Sequence, residues 1–479
     1  MTSYPEIRLH LGGRGWVAET ACHKDVLNPA TGLPVGRVPL ASAEDLRHAA
    51  ESAARGFDLW RSVPAIERSA ILRRAAGLLR DRKATIAEAL TREQGRPLGD
   101  TAMECLVGAE VLDFFAEEAR RIFGRSVPPR VPGAIQTVLR DPVGPVLAIS
   151  TWNVPVNHAA RKLGAALAAG CSVVLKGPEE APASTMMVVA ALLDAGVPAE
   201  ALSLVFGNPP DVSDLLIAHP AIKALTFTGS TRIGKLLAAR AGAQMMPVTM
   251  ELGGHAPVLI FDDADIDKAI AILGMTKFRN AGQICIAPTR FLVQDGVHDR
   301  FLAGMVKAAQ ALRVGDGMDP ASQMGPLSTR SRVDAVAALV EDAVARGATL
   351  HTGGHRIGNA GYFYAPTVLG NVPTDALAMN DEPFGPLALI NRFSDPDAAI
   401  AEANRLDYGL AAYAYTGSEA MANRLAAEVQ SGMLSINHHG LGPVEHPFGG
   451  IGASGMGSEG GAEAVERFLV TRFVTRVAR

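Results

Sequence analysis

Between residues 42 and 123 apolar positions recur every three to four residues, as at Ile71, Leu72, Ala75, Leu78 and Leu79, and this period predicts a helical stretch. Ser42 fits the N-cap of its first helix, with Glu44 and Asp45 in the first turn, although a full capping box prefers Glu or Gln where Asp45 stands. From about residue 143 the period changes. Short β-rich runs at Val143–Ile149, Ser172–Leu175, Leu202–Phe206, Ala224–Thr228 and Val248–Met250 alternate with helical composition at Asn157–Ala169, Ser184–Leu193, Val212–Ala218 and Thr231–Ala241. This alternation predicts a parallel sheet covered by helices on both faces. A second α/β region follows from about Gly253 into the low 400s, with a helix at Ala269–Met275, a strand at Arg290–Val293 and a long helix at Val297–Leu312. Phe448–Gly461 reads as a glycine-rich loop and Phe468–Val474 as a strand. The Pro-rich, then β-like segment Arg125–Val138 interrupts the helix-to-sheet transition and reads as an excursion that pairs with another subunit.

Composition narrows the class of protein. The 479 residues are 48% hydrophobic and 20% charged, an ordinary globular balance. Lys and Arg total 45 against 49 Asp and Glu, for a net charge of −4, so no basic field is available to hold nucleic acid. No apolar run approaches the ~20 residues of a membrane-spanning helix. Met1 to Thr20 has no apolar signal core. Four scattered cysteines (Cys22, Cys105, Cys171 and Cys285) form no CxxC pair, which argues against a disulfide scaffold or a zinc site and for the reducing cytoplasm.

Two glycine patterns mislead. Gly450-Ile-Gly-Ala-Ser-Gly455 fits GxGxxG but follows a Pro-Phe-Gly-Gly loop rather than a strand. Gly229-Ser-Thr-Arg-Ile-Gly-Lys235 lacks the Ser or Thr that a P-loop needs next, because Leu236 stands there. It still sets backbone N–H groups and a helix N-terminus where a phosphate can dock.

Six ordered segments carry a resemblance: Thr151-Trp-Asn-Val-Pro155, Lys176-Gly-Pro-Glu179, Phe227-Thr-Gly-Ser-Thr-Arg-Ile-Gly234, Glu251-Leu-Gly-Gly254, Gly282-Gln-Ile-Cys285 and Glu382-Pro-Phe-Gly-Pro386. Together, with Glu251 34 residues ahead of Cys285, they make nearly the whole chain resemble the NAD(P)-dependent aldehyde dehydrogenases, in particular the succinic semialdehyde dehydrogenase-like branch. The resemblance implies an α/β fold with a Rossmann-like parallel-sheet cofactor domain (residues 1–123 and 143–252) and a second α/β catalytic domain (253–447). A small β oligomerisation element (124–142 and 462–479) completes it and implies a homodimer or homotetramer, since its β edges need covering.

The resemblance also assigns roles. Cys285 is the nucleophile, adding to an aldehyde to give a thiohemiacetal and then a hydrolysable thioester; the other cysteines read as inert. Glu251 is the general base, and because the CoA-acylating branch lacks this base its presence implies a free carboxylic acid product. Asn153 donates to the oxyanion, and Lys162 lies near the base and moves protons. Lys176 and Glu179 reach the adenosine ribose, a carboxylate there favouring NAD over NADP. Gly177 stands where the family leads one to expect proline. Gly229 and Ser230 face the pyrophosphate, Thr151 and Trp152 pack nearby, and Glu382 with Phe384 positions the nicotinamide end. Arg161 and Arg279 resemble the carboxylate anchors of succinic semialdehyde dehydrogenases, two guanidinium groups in an apolar funnel. That branch's anchoring serine is missing from the loop His438-His-Gly-Leu-Gly-Pro-Val-Glu-His446, which leaves another ω-oxo acid, an aromatic aldehyde or a general aliphatic aldehyde open; no metal is implied. Two rival readings are a cysteine hydrolase without nicotinamide and a non-catalytic protein on the same scaffold.

Overall fold

The computed structural model describes residues 4–477. Ser42 caps the helix Ala43–Arg61 by accepting from the Asp45 backbone N–H while the Asp45 carboxylate accepts from that of Ser42. The shorter aspartate thus closes the box that Glu or Gln was expected to close. Helices Ala65–Asp81, Lys83–Gln94 and Leu98–Glu118 follow, within the stretch that periodicity marks as helical.

Five parallel strands then form the centre of the first, eight-stranded sheet in the spatial order Leu202–Val205, Val173–Lys176, Val146–Ile149, Ala224–Thr228, Val248–Glu251. In chain order this is 3-2-1-4-5. The topological switch point falls between Val146–Ile149 and Ala224–Thr228, where a crevice opens beyond the carboxyl ends of the strands. The helix Pro155–Ala169 is buried along nearly its whole length, packed between this sheet and the helix Leu98–Glu118. Its polar residues, Asn157, His158, Arg161 and Lys162, lie together on one side of its first two turns.

The second sheet has the order Thr349–Thr352, Thr367–Gly370, Leu387–Phe393, Arg290–Gln294, Pro257–Ile260, Ala411–Tyr415, Met433–Ile436, parallel except at its first pair. Each sheet has a separate apolar core. A third, antiparallel sheet joins Arg125–Val127, Ala134–Pro142 and Leu469–Val477. The excursion at Arg125–Val138 therefore pairs first within its own chain, over a nine-residue register with the C-terminal strand, and Leu469–Val477 is the longer of the two edges left open, Arg125–Val127 being the other.

The glycine-rich segment is not all loop. Gly455–Met456 zips antiparallel onto the end of Val248–Glu251, with Glu251 opposite Gly455. Gly455 has φ 128°, and a Cβ there would stand 1.9 Å from the Met250 carbonyl oxygen, so only glycine allows this approach. The pairing carries Glu459 back to the carboxyl end of the first sheet. No helix among the described residues is long and apolar enough to cross a membrane.

Candidate active site

Cys285 follows a tight polar turn. Asn280, Ala281 and Gly282 all have positive φ (50°, 51° and 72°), a strained run held by its own side chains. Asn280 Nδ2 donates to the carbonyls of Asn153 (3.0 Å) and Gln283 (3.2 Å), and Gln283 Nε2 donates back to the Asn280 carbonyl at 3.0 Å. Asn153 Nδ2 donates to the Gln283 carbonyl at 3.2 Å. The polar residues before the cysteine thus fasten its loop to Asn153.

The other side of Asn153 is fixed by a buried pair. Glu104 meets Arg96, and its Oε1 accepts the backbone N–H groups of Val156 (2.9 Å) and Asn157 (3.3 Å), replacing an N-cap for the helix Pro155–Ala169.

Two cavities meet at Cys285. One, of about 440 Å3, is bordered by Thr151, Trp152, Asn153, Gly229, Ser230, Glu251, Glu382 and Phe384. Trp152 and Phe384 stand edge to face at 5.7 Å, and Glu382 accepts from the Gly254 N–H at 3.1 Å. Burial pushes the Glu382 carboxyl up to about 7. Farther along the crevice, an apolar slot of about 170 Å3 lies between Lys176, Pro210, Phe227, Ile233 and Leu237. Lys176 Nζ contacts Glu179 at 2.7 Å, while the other Glu179 oxygen accepts from the Gly207 N–H at 2.9 Å. The Gly177 N–H donates to the Val205 carbonyl at 3.0 Å, a bond that proline could not make.

The second cavity, of about 500 Å3, opens on the opposite side of Cys285 and is walled by Val107, Val111, Val154, Ile284, Ile286 and Phe448. Arg161 is buried in it, donating to the carbonyls of Gly442 (2.7 Å) and Glu459 (3.0 Å) and lying 4.9 Å from the centre of the Phe448 ring. No carboxylate lies within ion-pair distance of Arg161 among the described residues. Arg279 also borders the cavity but is exposed. The funnel is therefore less simple than two guanidinium groups in an apolar wall. One is buried, one is at the rim, and Glu104, Glu110 and Glu445 share the lining.

Glu251 ends its strand fully buried, with Oε1 unpartnered. Burial, then the nearby Glu459 charge, push its carboxyl up to about 8. Burial and the facing Glu251 push the Cys285 thiol well above its usual value. Lys162 contacts Glu459, and its Nζ is 3.0 Å from Thr226 Oγ1. Burial alone would raise Glu459, but Lys162 and His158 hold it down, to about 2. Burial raises the thiols of Cys105 and Cys171 to about 12.

Of the site residues named from the sequence, Thr151, Trp152, Asn153, Gly229, Ser230, Glu251, Cys285, Glu382 and Phe384 border the first cavity, Arg161 and Arg279 the second, and Lys176 the slot, whereas Lys162 is buried against Glu459 and Glu179 borders a separate cavity beside Lys24 and Tyr362. Glu459, His158 and Arg332 were missed. Arg332 borders the first cavity and donates to the carbonyls of Pro383 (2.6 Å) and Phe384 (3.1 Å). His158 carried a usable signal, since it shares a helix face with Arg161 and Lys162 at i, i+3 and i+4. Glu459 carried none, because a long-range strand pairing delivers it.

The Aldehyde dehydrogenase family model matches residues 16–474, and the chain belongs to that family. It is 45% identical to the putative 4-(hydroxymethyl)benzenesulfonate dehydrogenase TsaD2 of Comamonas testosteroni over 453 residues, covering 95% of this chain and 94% of the relative. It is 39% identical to the succinate-semialdehyde dehydrogenase [NADP(+)] GabD of Escherichia coli K12, covering 94% and 93% of the two chains. The crystal structure of succinate-semialdehyde dehydrogenase from Burkholderia pseudomallei superposes with a TM-score of 0.97 at 36% identity, covering 100% of this chain and 99% of that one. The protein is an aldehyde dehydrogenase, with the α/β fold, the nicotinamide cofactor and the small aldehyde substrates of its family.

Proposed function

We propose that the protein oxidises an aldehyde bearing a distal anion to the carboxylic acid, using NAD, through a thiohemiacetal and a thioester on Cys285. The observation that carries this reading is the position of Cys285 where the dinucleotide-sized crevice and the Arg161 funnel meet. The crevice fits the cofactor: a glycine turn and helix N-terminus at Gly229–Thr231 suit a pyrophosphate, and an apolar slot beside Lys176 suits a flat base. A bound nicotinamide supplies the hydride acceptor. Thr151, Trp152, Glu382 and Phe384 orient its end, and the Glu179 carboxylate suits free ribose hydroxyls and repels a 2′-phosphate.

Glu251 acts as general base toward the Cys285 thiol and the hydrolytic water. The Asn153 side-chain amide and the Cys285 backbone N–H donate to the oxyanion. Arg161, buried without a carboxylate partner, anchors the substrate anion, and Arg279 adds charge at the rim. Both the ω-oxo acids and the arenesulfonates named for the relatives present such an anion. Residues 1–123 and 143–252 would bind cofactor and 253–447 would complete the catalytic half. The open edge Leu469–Val477, with Val470, Phe473 and Val477 exposed, supports pairing into a homodimer or homotetramer through 124–142 and 462–479. Four free cysteines suit the cytoplasm.

The test is a panel of anionic and neutral aldehydes mixed with protein and NAD, read as NADH. Oxidation of the anionic members, abolished in Cys285→Ala, is expected; no NADH with any aldehyde would refute the reading.

A further inference from the structure

His158 and Cys285 are the two residues that border both cavities. The imidazole therefore stands where the reacting carbon of a substrate and its first substituents must lie. It is buried, and among the described residues it is the one histidine whose two ring nitrogens are both buried and unpartnered. His10 and His255, also buried, are satisfied: His10 Nδ1 is 2.7 Å from the Leu202 carbonyl, and both nitrogens of His255 have partners. An orphan of this kind is costly to bury unless a ligand completes it.

The charge beside the ring sets what that ligand must offer. Glu459 Oε1 is taken by Lys162 and by Thr228, whose Oγ1 donates at 2.9 Å. Its Oε2 has no partner and lies 3.9 Å from His158 Nδ1, too far for a hydrogen bond but well within reach of its charge. A carboxylate facing Nδ1 favours the tautomer with the proton there, which leaves Nε2 as an acceptor. An acceptor is completed by a donated proton. The oxygen of a plain aldehyde is itself an acceptor, so it has nothing to give Nε2. The smallest neutral donor that fits beside the reacting carbon is a hydroxyl.

We infer that His158 determines specificity: its Nε2 accepts from a hydroxyl on the carbon beside the aldehyde, and the substrate is a hydroxylated aldehyde acid. This rests on the aldehyde-oxidation reading above and names the substrate class for the same funnel. Arg161 follows three residues on along the same side of the helix, a spacing that sets Cβ atoms about 5–6 Å apart. A hydroxyl held at His158 and an anion held at Arg161 fix two points of one chain while its aldehyde carbon meets Cys285. Glu251 keeps both of its proton tasks, toward the thiol and toward the water. No proton moves to the imidazole, which binds and does not react.

The test compares wild type, His158→Met and His158→Gln on two pairs of aldehydes that differ by that hydroxyl: 3-hydroxy-4-oxobutanoate against succinic semialdehyde, and lactaldehyde against propanal. In each pair the ratio of kcat/KM, hydroxylated over plain, should fall roughly tenfold or more in His158→Met. His158→Gln, whose amide oxygen can accept in place of Nε2, should keep part of the wild-type ratio. A merely structural role would lower both members of a pair together and leave the ratio unmoved. An unchanged ratio, or an equal loss on both members with or without a raised KM for NAD, overturns the proposal. If His158→Met does not fold, wild type decides with 2-methoxypropanal, which has no proton to donate. A kcat/KM about tenfold or more below that of lactaldehyde supports the proposal, and a smaller difference overturns it. NADH formed without the change in ratio fails this inference alone, whereas no NADH from any aldehyde fails the aldehyde oxidation as well.

Discussion

Glu251 and Cys285 face each other in one cavity: burial and then the charge on the carboxyl raise the thiol, while burial keeps the carboxyl protonated up to about pH 8. Thiol activation therefore needs the deprotonated carboxyl. In wild type the rate of the first NADH-forming turnover should climb with pH through about 8, and near pH 6 it should fall to roughly a hundredth of its plateau. Glu251→Gln should remove that limb. The same shift has a stability consequence. A carboxyl whose folded value lies above its unfolded value contributes nothing adverse below about 4.5, and its penalty grows as pH rises to about 8. Glu251→Gln should accordingly raise Tm relative to wild type more at pH 9 than at pH 5; an equal effect at both would show that the burial penalty is absent.

Arg161 separates anionic from neutral substrates. A charge-assisted hydrogen bond contributes about 1.5–3 kcal/mol, so Arg161→Met should lower the kcat/KM ratio of succinic semialdehyde to butanal by roughly 10- to 100-fold. Arg279 is exposed, and Arg279→Ala should cost at most a few-fold, less at high salt. Steady-state kinetics with the two substrates checks both values.

Glu179 is held between Lys176 and the Gly207 N–H. Glu179→Ser should free Lys176 and shift the NADP-to-NAD ratio of kcat/KM upward by at least tenfold. An unchanged ratio would place ribose recognition elsewhere.

Glu104 does two things at once, pairing with Arg96 and capping the helix that carries His158, Arg161 and Lys162. Glu104→Ala leaves a buried guanidinium and two backbone N–H groups unpaired, for a loss of about 3–5 kcal/mol in a denaturation experiment. Loss of activity should accompany it well below the unfolding midpoint, because the helix start also sets Asn153.

Much of this was legible along the chain because local patterns and local structure agree. The strand at Ala224–Thr228 falls where its β-rich run lies, and the sheet strand read as Val143–Ile149 begins at Val146 because Gly144 and Pro145 precede it. Helices read as Asn157–Ala169 and Ser184–Leu193 start two residues earlier, at Pro155 and Pro182, where proline suits the first turn. Contacts made at long range were not legible. Gly455–Met456 has no strand signal of its own and forms only because Val248–Glu251 offers an edge, and Glu459 rides on that pairing. The exposure of Arg279 and the burial of Arg161 depend on how two segments far apart in sequence wall one funnel, which spacing alone does not encode.

The central claim is a covalent acyl group on one sulfur. Wild-type protein mixed with NAD and an aldehyde that it oxidises, acid-quenched within a turnover and weighed intact, should gain the mass of that aldehyde less two hydrogens, mapped by peptide analysis to Cys285 and missing from Cys285→Ala. Steady NADH production with unmodified protein at every quench time, or the same adduct on Cys285→Ala, would contradict it.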